Sequence, residues 1–328
     1  MSVVYARAPL RISLGGGGTD LPSYYKEHEG FLVAGAIDKY VYMLLHTVFQ
    51  RRYRMKYSES EEVDSPSQIK HPILRETLLR HWRGDPVEIA SVADVPAGTG
   101  MGSSGAYTVC LLKALAQARR QASTPRSLAE AACHIEIDVL GEPVGKQDQY
   151  VAAHGGICAY TFHHDGSVDV EPLELRADTL AHLRDRLLLF YTGEARSASR
   201  MLSDQDRRSK AGDAEMLENL HRTKAIGYES RSLLEQGDLA AFAQLMHEHW
   251  EHKRQRSPGM ANARIDTLYR QAREAGAIGG KLVGAGGGGF LLVYSLNPEQ
   301  TRQAMAEEHA AELDFDFEYG GAFASENA

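Results

Sequence analysis

Cysteine is scarce in this 328-residue chain: three occur, Cys110, Cys133 and Cys158, each in apolar surroundings. The number is odd and no CxxC pair is present, which sets aside a disulfide scaffold and leaves buried free thiols in a reducing compartment as the expectation. No apolar run reaches the roughly 18 residues that a membrane span needs. The N-terminal stretch MSVVYARAPLRISL also lacks the continuous apolar core of a secretory signal. A cytoplasmic protein is expected. Long Lys/Arg runs are missing and the formal net charge is -8, so neither nucleic acid nor an anionic membrane is an expected partner. Internal repeats and low-complexity tracts do not occur either.

Glycine, by contrast, is plentiful at 31 residues, and much of it falls in three clusters. These read SLGGGGTD over 13–20, PAGTGMGSS over 96–104 and KLVGAGGGGF over 281–290. The middle cluster carries the plainest chemistry. Gly98, Gly100 and Gly102 let backbone N–H groups converge without Cβ obstruction. Ser103 and Ser104 follow where a segment apolar around most of its circumference, Ser103–Arg119, predicts a buried helix. A helix N-terminus offers free N–H donors and a partial positive charge to phosphate, and a serine hydroxyl there can reach a Mg²⁺ that bridges phosphates. Taken singly, each cluster is equally well a tight turn. The commoner phosphate motifs are missing: GxxxxGKS/T, the VAIK, HRD and DFG set, and a GxGxxG beside the first strand.

Hydrophobic spacing predicts strands at Val3–Leu14, Phe31–Ile37, Tyr40–Phe49 and Val87–Val95, and a helix over Ile69–Trp82. It also predicts a helix from Pro125 to about Leu140, one over Gln147–Ala153, and a hairpin of Ile157–Phe162 with Ser167–Leu173. A second unit begins near Leu183 with a strand at Arg186–Thr192. Two or three helices follow to about Ala275, then strands flanking the third glycine cluster, a helix over Pro298–Ala311 and a last strand at Phe315–Phe323. The order of elements implies an α+β protein of two domains, 1–182 and 183–328.

In this order the three clusters resemble the three motifs of the GHMP kinases, the family of galactokinase, homoserine kinase, mevalonate kinase and phosphomevalonate kinase. The family's central motif is P-x-x-x-G-x-G-S-S-A; here Met101 stands where leucine is usual and Gly105 where alanine or serine is usual. The resemblance implies a two-domain fold, with an N-terminal domain like the second domain of ribosomal protein S5 and a ferredoxin-like C-terminal domain. It implies ATP as co-substrate, its phosphates held by Pro96, Gly98, Gly100, Gly102, Ser103, Ser104 and Gly105. Mg²⁺ would sit on Glu136 and Ser104, with Ser103 as the alternative serine. Asp148, in GKQDQY, matches the aspartate that takes the proton of the attacking hydroxyl, a task suited to a carboxylate within hydrogen-bond reach; a helix cap would also use Asp at that position. Arg11 matches the cation that stabilises charge on the phosphoryl group. Gly17, Gly18, Thr19 and Asp20, with Gly286 and Gly287, would form the acceptor site.

Within the family, RAPLRISLGGGGTDLPSY over 7–24 and GKQDQY over 145–150 resemble the heptose-phosphate kinases. Galactokinases show GEHTD where this chain has GGGTD, and fucokinase domains share a related glycine form. The implied reaction phosphorylates the anomeric C1 hydroxyl of D-glycero-D-manno-heptose 7-phosphate, giving the 1,7-bisphosphate for GDP-heptose and surface-polysaccharide synthesis. A fucokinase- or galactokinase-like acceptor, or a non-catalytic sensor of ATP and sugar, are the alternatives. A small-molecule sugar phosphate needs cations, for which Arg196, Arg200, Lys253 and Lys146 are candidates. The cluster His247-Glu-His-Trp-Glu-His252 lacks HExxH spacing and reads as a helix face, not a zinc site. A monomer and a homodimer are both compatible with these readings.

Overall fold

The computed structural model describes residues 3–49, 51–193 and 199–327. Alternation at Val4, Ala6, Ala8, Leu10, Ile12 and Leu14, all buried, makes the first strand, β1 (Val3–Gly15). After α1 (Pro22–His28) the chain runs through β2 (Gly30–Thr47), β3 (Tyr53–Lys56), β4 (Ser60–Val63), α2 (Pro72–His81) and β5 (Val87–Ala93). Then come α3 (Ser103–Ala118), α4 (Pro125–Cys133), α5 (Gln147–His154), β6 (Ile157–Phe162), β7 (Val168–Pro172) and α6 (Ala177–Arg186). The remaining elements are β8 (Leu187–Tyr191), α7 (Ser199–Lys210), α8 (Ala214–Gln236), α9 (Leu239–Arg256), α10 (Ala263–Glu274), β9 (Ala277–Leu282), β10 (Phe290–Ser295), α11 (Pro298–Glu307) and β11 (Phe323–Asn327).

The first sheet is ordered β11-β1-β2-β5-β3-β4, with β6 and then β7 attached to the first half of β2. The long β2 replaces the two strands expected at 31–37 and 40–49. Its register with β1 jumps from Pro9↔Tyr40 to Leu10↔Ile37, so Asp38 and Lys39 bulge out and the strand continues. Pro9 has no N–H to give the ladder at that point, and a bulge accommodates it. Helix α3 lies on β1 and β2 with nine residues buried. The helix expected to run to Leu140 instead leaves α4 through a π-helical turn over His134–Val139, closed by Leu140 N–H to the Ile135 carbonyl.

The second sheet is β8-β10-β9, antiparallel throughout. Backbone bonds from Tyr191 N–H to the Ala311 carbonyl and from Leu313 N–H to the Leu189 carbonyl add residues 311–313 as a short fourth edge. Among the described residues four helices, α7 to α10, occupy the stretch where two or three were expected. Leu189, Phe242, Phe290 and Leu292 share one core with Leu10, Ile12 and Leu32, so the two sheets are packed into a common interior. The last strand lies later than expected. Phe315 and Phe317 bury their rings, Phe317 bridging to Ile37, and the strand is β11, paired antiparallel with β1 from Arg7↔Phe323 to Val3↔Asn327. Cys110, Cys133 and Cys158 are buried and unpaired. No described helix is long and apolar enough to cross a membrane.

Candidate active site

The loop 96–102 joins β5 to α3, and its glycines 98, 100 and 102 all adopt left-handed backbone, with φ of 78°, 80° and 77°. A side chain at Gly100 would place Cβ 2.6 Å from the Val283 carbonyl oxygen, and one at Gly289 would stand 2.2 Å from the Thr99 carbonyl oxygen. The third glycine cluster therefore packs backbone to backbone against the second. No side chain caps α3, and its first helical bond runs from Ala106 N–H to the Gly102 carbonyl. The N–H groups of Ser103, Ser104 and Gly105 are left for an anion. The Ser103 hydroxyl is buried without a partner among the described residues.

Arg11, on β1, and Asp148, in the first turn of α5, meet beneath this loop. Arg11 Nε donates to Asp148 Oδ1 at 2.9 Å and Nη2 approaches the same oxygen at 2.7 Å. Asp148 Oδ2 keeps no hydrogen bond among the described residues, and Arg11 also donates to the Gly100 carbonyl. Glu136, brought in by the π-helical turn, accepts from Ser104 Oγ at 2.5 Å and from Gln149 Nε2 at 3.0 Å. Burial pushes its carboxyl above the usual carboxylate range, and the two hydrogen bonds oppose that rise.

Gly105 explains how α3 and α5 come this close. A Cβ there would lie 2.7 Å from Asp148 Cβ and 2.9 Å from Gln149 N. Gly105→Ala is expected to lower kcat about 10- to 100-fold through displacement of Asp148, with the KM for ATP little changed. Steady-state kinetics checks this, and a wild-type kcat would remove Gly105 as the determinant of that spacing.

Arg11, Asp148, Ser103 and Ser104 line a cleft of about 830 Å³ between the sheets, and Glu136 and Gly105 lie buried behind that lining. At one end stand Tyr57, His71, Val92, Pro96 and Tyr107, with the rings of His71 and Tyr107 stacked at 5.1 Å and 18°. At the other end stand Ser13, Gly17, Gly18, Asp20, Gln147 and Gln205. Asp20 is buried; Gln147 N–H reaches its Oδ2 at 3.0 Å and Gly18 N–H its Oδ1 at 3.2 Å. Desolvation raises the Asp20 carboxyl above the ordinary carboxylate range.

Some expected residues are not brought into the cleft. Thr19 is fully buried and its hydroxyl donates to the Gly16 and Phe31 carbonyls, tying the first glycine loop to β2. Gly286 and Gly287 pack on Met260, and the cleft wall there is Gly284 and Ala285. Lys146 bonds the Gly166 carbonyl and lies over the Tyr25 ring. Arg196 and the Arg200 side chain lie outside the described residues. Conversely, Arg256 and Lys281 line the cleft and were not anticipated, although the 249–253–256 spacing places His249, Lys253 and Arg256 on one face of α9.

Residues 70–156 match the family model described as GHMP kinases N terminal domain, and residues 230–312 match that described as GHMP kinases C terminal. The chain belongs to the GHMP kinases and is a phosphotransferase with an alcohol group as acceptor. It is 28% identical to a D-glycero-alpha-D-manno-heptose 7-phosphate kinase of Campylobacter jejuni, over 97% of each chain. It is 25% identical to a bifunctional fucokinase/GDP-fucose pyrophosphorylase of Arabidopsis thaliana, over 92% of this chain and 31% of that protein. The structure is similar to that of a D-glycero-D-manno-heptose 1-phosphate kinase from Bacteroides thetaiotaomicron, with a TM-score of 0.80, 25% identity and 98% of each chain covered. It also shares its fold with the Lactococcus lactis galactokinase, at a TM-score of 0.77 and 16% identity.

Proposed function

We propose that this chain is an ATP-dependent sugar kinase that phosphorylates the anomeric C1 hydroxyl of D-glycero-D-manno-heptose 7-phosphate. The product is the 1,7-bisphosphate, a precursor for GDP-heptose and surface polysaccharide. The observation that carries the reading is the Arg11–Asp148 pair, which lies between the uncapped N-terminus of α3 and the polar end at Gly17–Asp20. The aromatic end of the cleft takes the adenine, and the loop 96–102 with the first turn of α3 takes the phosphates. The sugar lies at the opposite end, where Asp20 orients its hydroxyls. Asp148 accepts the proton of the attacking hydroxyl through Oδ2 while Arg11 holds Oδ1 and offsets charge on the transferring group.

Glu136 and Ser104 form a donor set suited to a Mg²⁺ shared with the ATP phosphates. Glu136 is a buried carboxylate met only by neutral donors, and a hard cation relieves its desolvation. The ion would neutralise charge on the phosphates. Glu136→Gln is expected to raise the Mg²⁺ concentration for half-maximal rate at least tenfold, about 1.4 kcal/mol, read by Mg²⁺ titration at fixed ATP. An unchanged titration would remove Glu136 from the metal site.

ADP release measured across heptose 7-phosphate, unphosphorylated heptose, fucose, galactose and mevalonate tests the whole reading. Turnover should be fastest with the heptose phosphate. Retained ATP binding with no turnover of any sugar would leave the chain a sensor and sink the proposal.

A further inference from the structure

Helix α9 presents three basic side chains to the cleft from one face, His249, Lys253 and Arg256, which are 2%, 7% and 4% exposed. Lys281, on β9, stands opposite at 2% exposure, its Nζ 3.3 Å from His249 Nδ1. Burial, and then the fields of Arg256 and Arg11, bring the Lys253 ammonium down to about 7. Lys281 is pushed down by burial and by the fields of Lys253, Arg11 and Arg256. Burying several bases together is unfavourable unless an anion compensates them. Among the described residues none of Lys253, Lys281 and Arg256 is in ion-pair contact with a carboxylate. Asp20 is the acid whose field reaches Arg256.

The cations are not all placed for ATP. Lys253 bonds the Leu282 and Gly284 carbonyls, so it is tied to the third glycine cluster where that packs against the loop 96–102. Arg256 is one helical turn further along α9 and lies beyond the Arg11–Asp148 pair, against the first glycine loop. A Cβ on Gly18 would sit 2.6 Å from Arg256 Nη1, so the glycine is what admits the guanidinium. Asn219, Thr223 and Gln205 hold that guanidinium: Nε donates to Asn219 Oδ1 at 2.9 Å, Nη2 to Thr223 Oγ1 at 2.8 Å and Nη1 to Gln205 Oε1 at 3.4 Å. The Ser13 hydroxyl and the Gln147 Nε2 amide, on residues 7% and 5% exposed, are donors with no partner among the described residues. Arg256 Nη1 also donates to the Gly17 carbonyl at 3.5 Å, and a Cβ on Gly17 would lie 2.9 Å from Ser13 Oγ and 3.7 Å from Gln147 Oε1, so Gly17 links Arg256 to the Ser13 and Gln147 side chains.

We propose that Arg256, with the orphaned donors of Ser13 and Gln147 beside it, is the subsite for a phosphate carried by the acceptor, and that this subsite makes the enzyme select a phosphorylated sugar. The inference rests on the sugar-kinase reading above and adds the group that reads the acceptor's own charge. A fixed guanidinium pairs with phosphate by charge-assisted hydrogen bonds, and in a buried site the pairing discriminates strongly against an uncharged hydroxymethyl end.

The test compares wild-type protein with Arg256→Gln and Arg256→Lys, using heptose 7-phosphate and unphosphorylated heptose. In the wild type, kcat/KM for the phosphorylated sugar should exceed that for the unphosphorylated one at least 100-fold. Arg256→Gln should reduce that ratio at least tenfold, mostly through KM, and Arg256→Lys should restore part of it, with the KM for ATP altered less than threefold in both. Calorimetric binding of heptose 7-phosphate to the full chain without nucleotide reads the same subsite independently of turnover, and it should weaken at least tenfold in Arg256→Gln. A wild-type ratio near one, or a ratio and affinity retained in a folded Arg256→Gln protein, overturns the subsite, while turnover of the sugars themselves still marks a sugar kinase. Binding that depends on Arg256 without turnover of any sugar overturns the kinase reading and leaves the subsite standing.

Discussion

Asp148→Asn is expected to lower kcat by about 10²–10⁴-fold while MgATP still binds. Asparagine keeps the size of the side chain and can accept from Arg11 through its amide oxygen, so the 2.9 Å contact with Nε is retained. What it cannot do is take a proton from an alcohol at the position of Oδ2. The prediction separates proton acceptance from mere placement of the hydroxyl, since asparagine could still orient it. Single-turnover rates with saturating ATP and sugar provide the measurement, with nucleotide affinity followed by calorimetry. A loss below about tenfold would mean that the carboxylate positions the acceptor and that the proton leaves by another route.

The second large effect is expected at a residue that touches no reactant through a side chain. Gly284 has φ of 78°, and a Cβ there would stand 2.4 Å from Gly100 Cα and 2.6 Å from the Gly100 carbonyl oxygen. Alanine adds about 1–2 kcal/mol of left-handed backbone strain and forces two backbones apart at the centre of the phosphate loop. Gly284→Ala should weaken ATP binding at least tenfold, about 1.4 kcal/mol, and lower Tm. Gly212→Ala is the control: its φ is 69° and a Cβ there meets nothing within 4 Å. It carries the strain without the collision, so it should shift Tm and leave ATP affinity alone. Equal ATP affinities in the two variants would show that the contact between the second and third glycine clusters does not shape the nucleotide site.

The parts of this site legible in the sequence were those carried by the backbone. Three glycine clusters require close chain approach wherever they fold, and the apolar circumference of Ser103–Arg119 required burial, so the uncapped start of α3 beside the loop followed from composition. Asp148 and Glu136 were legible through their motifs. The side of the cleft beside the first glycine loop was not. Arg256 and Lys281 belong to segments whose apolar spacing marks an ordinary core helix and strand, and nothing local reveals that a base in such a stripe faces a cleft instead of solvent. Thr19 shows the opposite limit: its place between Gly18 and Asp20 suggested a ligand contact, yet its hydroxyl is bound to two carbonyls. In the fold, Asp38-Lys39 falls between the two strands expected at 31–37 and 40–49, but pairing with β1 on one side and with β5 and β6 on the other holds β2 together across it. Phe315 and Phe317 alternate as strand residues do, and here the alternation places two rings in the core at an angle of 89°.

The pairing of β11 with β1 bears on how the protein is made. The edge of the first sheet is closed by residues 323–327, more than three hundred positions after the residues they pair with. Until residues 323–327 are in place, Val3–Arg7 present an open row of backbone donors and acceptors on that side. An unpaired edge of this kind recruits other chains, and contacts of such sequence separation form late. Closure of this sheet is therefore expected among the last steps of folding.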